Sequence, residues 1–134
     1  MKNSGIFILL VLIITACNKP NKKIEERINA TDSVAINFFK GDGTTDTVVK
    51  VKIIKDKKIV SQLAQLIGTA QASPNIKCGY DGSLHFFKGN IVAQDIDFRM
   101  NAVDCSYFTF KQEGQLTATK LSAQAKLLLE SLKK

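Results

Sequence analysis

Ile91-Val92-Ala93-Gln94-Asp95-Ile96-Asp97-Phe98-Arg99-Met100 decides the fold class, because its side chains alternate in character. Val92, Ile96, Phe98 and Met100 share one parity, and Asp95, Asp97 and Arg99 share the other. Successive side chains of a strand point to opposite faces. The stretch therefore predicts a strand with one dry face and one wet face, as antiparallel sheets have. Gly89-Asn90 just before it is a two-residue turn with glycine first, which suits a type II′ hairpin to a strand over residues 83–88. Downstream, residues 101–104 turn and residues 105–111 form the next strand. Glu113-Gly114 then leads into a short strand over residues 115–120. Ser122 is placed to cap a final helix whose apolar stripe is Ala125, Leu128, Leu129 and Leu132.

Working upstream, Asp56 is an N-cap for a helix of about three turns. Val60, Leu63, Ala64 and Ile67 recur at helical spacing, Ile59 and Leu66 broaden the stripe, and Gly68 is the stop. Two strands precede it, over residues 33–39 and 47–55, joined by the turn cluster Gly41-Asp42-Gly43-Thr44-Thr45-Asp46. In the second of them Val49, Val51 and Ile53 are expected to point inward, with Lys50 and Lys52 outward. The order β-β-α-β-β-β-(β)-α predicts an α+β fold, an antiparallel sheet of about five or six strands with two helices packed on one face.

The N-terminus reads differently. Lys2 is followed by the unbroken apolar run Ile6 to Ile14, then by the small residues Thr15 and Ala16 and by Cys17. A basic start, a short apolar core and small exit residues make a secretory signal. A membrane-spanning helix needs about 20 apolar residues, more than this run has. Ile14-Thr15-Ala16-Cys17 resembles the bacterial lipobox. That resemblance covers only the first 17 of the 134 residues. It implies cleavage before Cys17, and a diacylglyceryl thioether and an acylated amine, such as a palmitate, on Cys17. Buried acyl chains at about 0.8 kcal/mol per CH₂ hold such a protein on the membrane. Asn18, not Asp, follows the cysteine, which in enteric bacteria implies the outer membrane. The expected organisation is a signal peptide over 1–16, a lipidated cysteine and flexible tether over 17–31, and a single α+β domain over 32–134. Within the tether, Ile24 and Ile28 are spaced to form one side of a short helical turn.

The chain carries a net charge of +7, and loss of Lys2 with the signal leaves +6. A basic surface in the cell envelope or periplasm suits anionic lipid headgroups, lipopolysaccharide phosphates, acidic glycans or acidic proteins. Export excludes nucleic acid as the partner. Lys50, Lys52, Lys55, Lys57 and Lys58 are the densest basic run and a candidate anion-binding site. The same lysines also read as a solvated edge that discourages strand-to-strand aggregation. Cys78 and Cys105 remain after Cys17. In an exported chain they read as one disulfide, worth roughly 3 kcal/mol on the chain-entropy account, or else as two free thiols. If the strands after Cys78 form a meander, the two cysteines sit on strands about 10 Å apart. The segment around Cys78 then has to bend over the sheet, or the strand order differs.

No catalytic constellation is visible, so a non-enzymatic domain is expected. His85 is the single histidine, and no nucleophile elbow marks Ser83 or Ser106. Asp81, Asp95, Asp97 and Asp104 cluster in sequence, and the region of Asp81, Asp95, Asp97 and His85 is the candidate site of a small envelope hydrolase. Too few ligands are present for zinc, the turn cluster lacks the ligand pattern of an EF-hand, and no metal or cofactor is expected. Most aromatic residues are expected in the core, with Phe39, Phe87 and Tyr107 on the opposite face. Asp32-Ser33-Val34 and Asp46-Thr47-Val48 resemble the Asp-Ser/Thr-aliphatic O-glycosylation signal of Bacteroidota, which implies Ser33 and Thr47 as acceptors. The leading expectation is a lipid-anchored domain that binds another envelope protein. A sharper form is an inhibitor of a lytic enzyme such as lysozyme, and a carrier of a hydrophobic ligand is a third reading.

Overall fold

In a computed structural model, residues 21–42, 47–73, 78–102 and 104–134 are described. The expected signal peptide over 1–16, Cys17, the first part of the expected tether and most of the turn cluster, Asp46 included, lie outside them. The elements run α1 Lys22–Asn29, β1 Ser33–Phe39, β2 Val48–Ile54, α2 Lys57–Gly68, β3 Gly82–Lys88, β4 Ile91–Arg99, β5 Tyr107–Gln112, β6 Gln115–Lys120 and α3 Ala123–Lys133. The strands form one open antiparallel sheet in the order β2-β1-β3-β4-β5-β6, so the expected α+β architecture is what the chain adopts. β1 is antiparallel to both β2 and β3. Those two therefore run parallel on either side of it, with α2 as the crossover. From β3 onward the sheet is a meander.

One face of the sheet is the core. Its register stacks Val34 beside Phe86, Ile36 beside Leu84, Leu84 beside Ile96, and Phe98 beside Phe108. These side chains pack with Ile24 and Ile28 of α1, with Val60, Leu63, Ala64 and Ile67 of α2, and with Ala125, Leu129 and Leu132 of α3. Fully burying side chains of this size contributes about 1.5–3 kcal/mol each. The expected caps form: Asp56 accepts from Lys58 N at 2.9 Å, and Ser122 Oγ accepts from Ala125 N at 3.1 Å.

Three expectations are corrected. The folded domain starts well before Asp32, because α1 lies in the segment read as tether and buries Ile24 and Ile28 completely enough to belong to the core. A helix of two turns is marginal alone, and packing sustains this one. α2 ends at Gly68 as expected, and the glycine has a packing role besides. It is buried, and a Cβ there would lie 2.8 Å from Glu25 Cβ, so its smallness lets α1 and α2 approach. Val92 does not share the face of Ile96. A bulge between Phe86 and Phe87 moves the pairing from Phe86–Gln94 to Phe87–Val92, which puts Gln94 inside and leaves Val92 43 % exposed.

The third correction concerns β2. Ile54 pairs with Val34 and is buried, so the same parity puts Lys52 beside Ile36 and Lys50 beside Phe38 on the helix side. Val51 and Ile53 consequently point to the other face, and they are 56 % and 65 % exposed. The lysines tolerate this because β2 is the outermost strand. Their stems cover apolar surface while the amines reach out. Lys50 Nζ meets the carbonyls of Lys133 and Lys134 at the end of α3, where a cation also suits the helix dipole.

After α2 the chain runs along the outer edge of β6. Ser73 N donates to Ala118 O at 2.9 Å and Lys120 N to Gln71 O at 2.7 Å. The described chain resumes at Cys78, where Tyr107 of β5 contacts Cys78 and Gly79, and leads into β3. Cys78 and Cys105 are joined, with Cα atoms 6.4 Å apart. The bend over the sheet is the solution the chain uses, since the strand order from β3 to β5 is a plain meander. Among the described residues no helix is long and apolar enough to cross a membrane.

Candidate functional site on the open sheet face

The face of the sheet away from the helices carries the chemistry. Two cross-strand rows organise it. One runs Val51–Asn37–Ser83–Asp97–Thr109 over β2, β1, β3, β4 and β5. The next runs Ile53–Ala35–His85–Asp95. Each row is apolar at β2 and polar at the centre. Beyond Ile53 and Val51, Val49 and Val48 of the same strand are 56 % and 47 % exposed.

The centre is hydrogen-bonded in series. His85 Nδ1 lies 2.6 Å from Asp95 Oδ1, and His85 Nε2 lies 2.9 Å from Ser83 Oγ and 3.2 Å from Asn37 Nδ2. With the Nδ1 proton donated to Asp95, Nε2 accepts from the Ser83 hydroxyl and the Asn37 amide. The carboxylate thus sets the tautomer and holds the ring. Asp97 adjoins Ser83 on β4. Burial pushes its carboxyl above its ordinary value; the charge of His85, when its ring is protonated, opposes this and the neighbouring Asp95 charge adds to it.

Toward β5 the face becomes a groove. β4 and β5 pair only at Asp97–Thr109, Phe98–Phe108 and Arg99–Tyr107 and then diverge. Gln94 spans the gap by donating to Asp95 O at 3.0 Å and Lys111 O at 3.3 Å, and Arg27 of α1 donates to Gln94 Oε1 at 3.3 Å. Tyr80, Asp95, Asp97, Thr109, Lys111 and Leu116 line the cavity, of about 470 Å³. Tyr80 is fixed there by ring contact with Tyr107 at 5.9 Å and by Thr109 Oγ1 donating to its hydroxyl at 3.3 Å.

The residues singled out from the sequence are distributed unevenly. His85, Asp95 and Asp97 come together. Asp81 does not join them: it is buried at the end of the sheet, where it accepts from Arg99 Nη1 at 2.9 Å, Met100 N at 2.7 Å and Asn101 N at 2.9 Å. Of the five lysines, Lys57 Nζ donates to Asn29 O at 2.5 Å and Thr31 O at 2.6 Å, and Lys50 is held by α3. Lys52, Lys55 and Lys58 form no ion pair among the described residues. Phe39, Phe87 and Tyr107 are on the open face, although Phe39 and Tyr107 are themselves covered. Thr47 is exposed, and Ser33 is half-buried at the start of β1. Among the described residues no group of His, Cys, Asp and Glu side chains is arranged to hold a metal ion. Asn37 and Ser83 were not singled out as partners of His85. Period-two spacing places Ser83 on the face of His85, but only the pairing of β1 with β3 brings in Asn37.

Comparison with known proteins gives no matching family model, no matching curated protein and no matching solved structure.

Proposed function

We propose that the protein is a lipid-anchored envelope lipoprotein, held through Cys17, whose open sheet face binds another envelope protein. The observation that carries this reading is the orientation of β2, which turns Val51 and Ile53 to solvent and its lysines toward the helices. Exposed apolar side chains are ordinary when scattered. Here four of them share one strand, Val48, Val49, Val51 and Ile53. A contiguous exposed apolar strip marks an interaction surface. The basic balance of the chain and the lipobox resemblance support an envelope setting for that surface.

The test is in-cell photocrosslinking of the full-length protein. A crosslinking residue at position 51 is expected to capture one dominant envelope protein, and the same residue at Gln62, exposed on α2, is expected to capture none of it. Cys17→Ser, which frees the domain from the membrane, reduces the capture. Equal capture from both positions, or none from position 51, would end this reading.

The series Ser83–His85–Asp95 favours a second reading, an acyl hydrolase in which His85 activates Ser83 and Asn37 supplies an oxyanion donor. Access weighs against it, since Ser83 is only 5 % exposed. A fluorophosphonate probe decides. The hydrolase reading requires covalent labelling of Ser83 that is lost in His85→Ala; the binding reading predicts no labelling above the Ser83→Ala background and partner capture unchanged by His85→Ala.

A further inference from the structure

We infer that the outer edge of β2 accepts an extended segment of a partner protein as an added strand, and that this segment alternates apolar with acidic side chains. The inference rests on the docking reading above and names the partner's chemistry.

The two edges of the sheet are treated differently. Residues 71–73 lie along β6 and bond to it at Ala118 and Lys120. β2 is the other end of the sheet and, among the described residues, has only β1 paired beside it. Along an outermost strand, alternate residues direct N–H and C=O away from the sheet and offer a template for pairing. β2 offers five residues in unbroken register, 50–54, with no proline; a bulge at Val49 separates them from Val48.

The side chains then specify what can lie there. An added strand continues both faces of the sheet. On the open face its side chains meet Val51 and Ile53, so they must be apolar. On the helix side they meet Lys52, which has no acidic partner among the described residues, and Lys55 follows at the strand's exit. Opposite charges across a strand pair stabilise and like charges destabilise. The complement of β2 is therefore a strand with apolar residues on one parity and Asp or Glu on the other.

The same argument disfavours two other occupants. A second copy pairing edge to edge would set its own β2 lysines against Lys52, in a chain that already carries +7. The chain's own residues 1–20 include Lys2, Lys19 and Pro20 and no acidic side chain, and proline weakens a strand that must donate along its length. The lysines of β2 thus serve as a filter: they repel copies of this chain and admit an acidic strand.

The probe is a fluorescein-labelled peptide of about nine residues, matched to strand length, alternating valine with glutamate. It is titrated by anisotropy into the full-length protein in detergent micelles, with hydrogen exchange read on β2. Binding is expected, with slowed exchange confined to Val48–Ile54. The peptide with lysine for glutamate is expected to bind about tenfold more weakly or worse, the effect of several reversed cross-strand charge pairs. Methylating alternate backbone nitrogens of the glutamate peptide, on the parity that donates to β2, is expected to abolish binding. Equal binding of the glutamate and lysine peptides, protection on another strand, or no binding would overturn the inference. So would a β2 already protected in a dimer without peptide, which would make a second copy the occupant. If position 51 still captures a partner in cells while the peptide fails, the edge inference falls and the docking face stands. If both fail, the docking reading falls with it.

Discussion

Asp81→Ala is expected to lower the unfolding free energy by about 3–5 kcal/mol, the range for removing one partner of a buried ion pair. Asp81 is 2 % exposed, and the side chain of Arg99 opposite it is 15 % exposed. One carboxylate oxygen accepts from Arg99, and the other accepts from the backbone of Met100 and Asn101. The backbone of Asp81 is engaged as well: its N–H donates to Phe98 O at 2.7 Å and its carbonyl accepts from Phe39 N at 2.8 Å. One residue therefore ties the end of β1, the start of β3 and the exit of β4. Alanine leaves a guanidinium buried without its partner, and Arg99 Nε already has none among the described residues. It also strands two backbone donors, each costly when dry. Asp81→Asn keeps an acceptor but loses the charge, so its loss should be smaller. Chemical denaturation followed by circular dichroism measures both. A loss below about 1 kcal/mol for alanine, the worth of an exposed ion pair, would show that Asp81 does not hold this corner.

Replacing Cys78 and Cys105 together by alanine is expected to cost about 3 kcal/mol, from the entropy regained by the unfolded chain. The bridge closes a span of 27 positions, and it has a local effect besides. It pins the segment that crosses the open face beside β5. Tyr107 Oη donates to Gly79 O at 2.8 Å and accepts from Cys78 N at 3.3 Å, and burial pushes its pKa up. Without the bridge, Tyr80 loses its anchor and the groove beside Asp97 loses a wall. Hydrogen exchange should therefore quicken at residues 78–80 and along β5, while β1 and α2 change little below the unfolding transition. A uniform change across the sheet would mean that the bridge acts only through the unfolded state.

Much of the architecture can be read from local pattern. Val60, Leu63, Ala64 and Ile67 mark the buried stripe of α2, and Asp56 and Ser122 mark the starts of α2 and α3, because helical spacing and capping are properties of neighbouring residues. Gly89, with φ of 59°, takes the left-handed position its turn requires. Reading failed where the deciding contact is distant in sequence. β2 has apolar residues on one parity and lysines on the other, yet its facing is set by the pairing of Ile54 with Val34 and by a bulge near Val49. Val92 lies one bulge away from the parity its neighbours suggest. Ile24 and Ile28 look like a short polar segment's only apolar pair until α2 supplies the surface they cover. The polar centre was partly legible: His85 and Asp95 both stood out, but their direct opposition across β3 and β4 depends on the hairpin bulge, and Asn37 arrives from a strand 48 residues away.

The stretch of chain that runs along β6 also limits stoichiometry. A sheet with two bare edges can be extended from either, and head-to-tail contacts that do not close propagate into filaments. Here Gln71 and Ser73 occupy the backbone groups of Lys120 and Ala118. On the docking proposed at β2, strand assembly is then univalent: each molecule would take up a single chain and terminate there, giving discrete one-to-one complexes and no growing polymer.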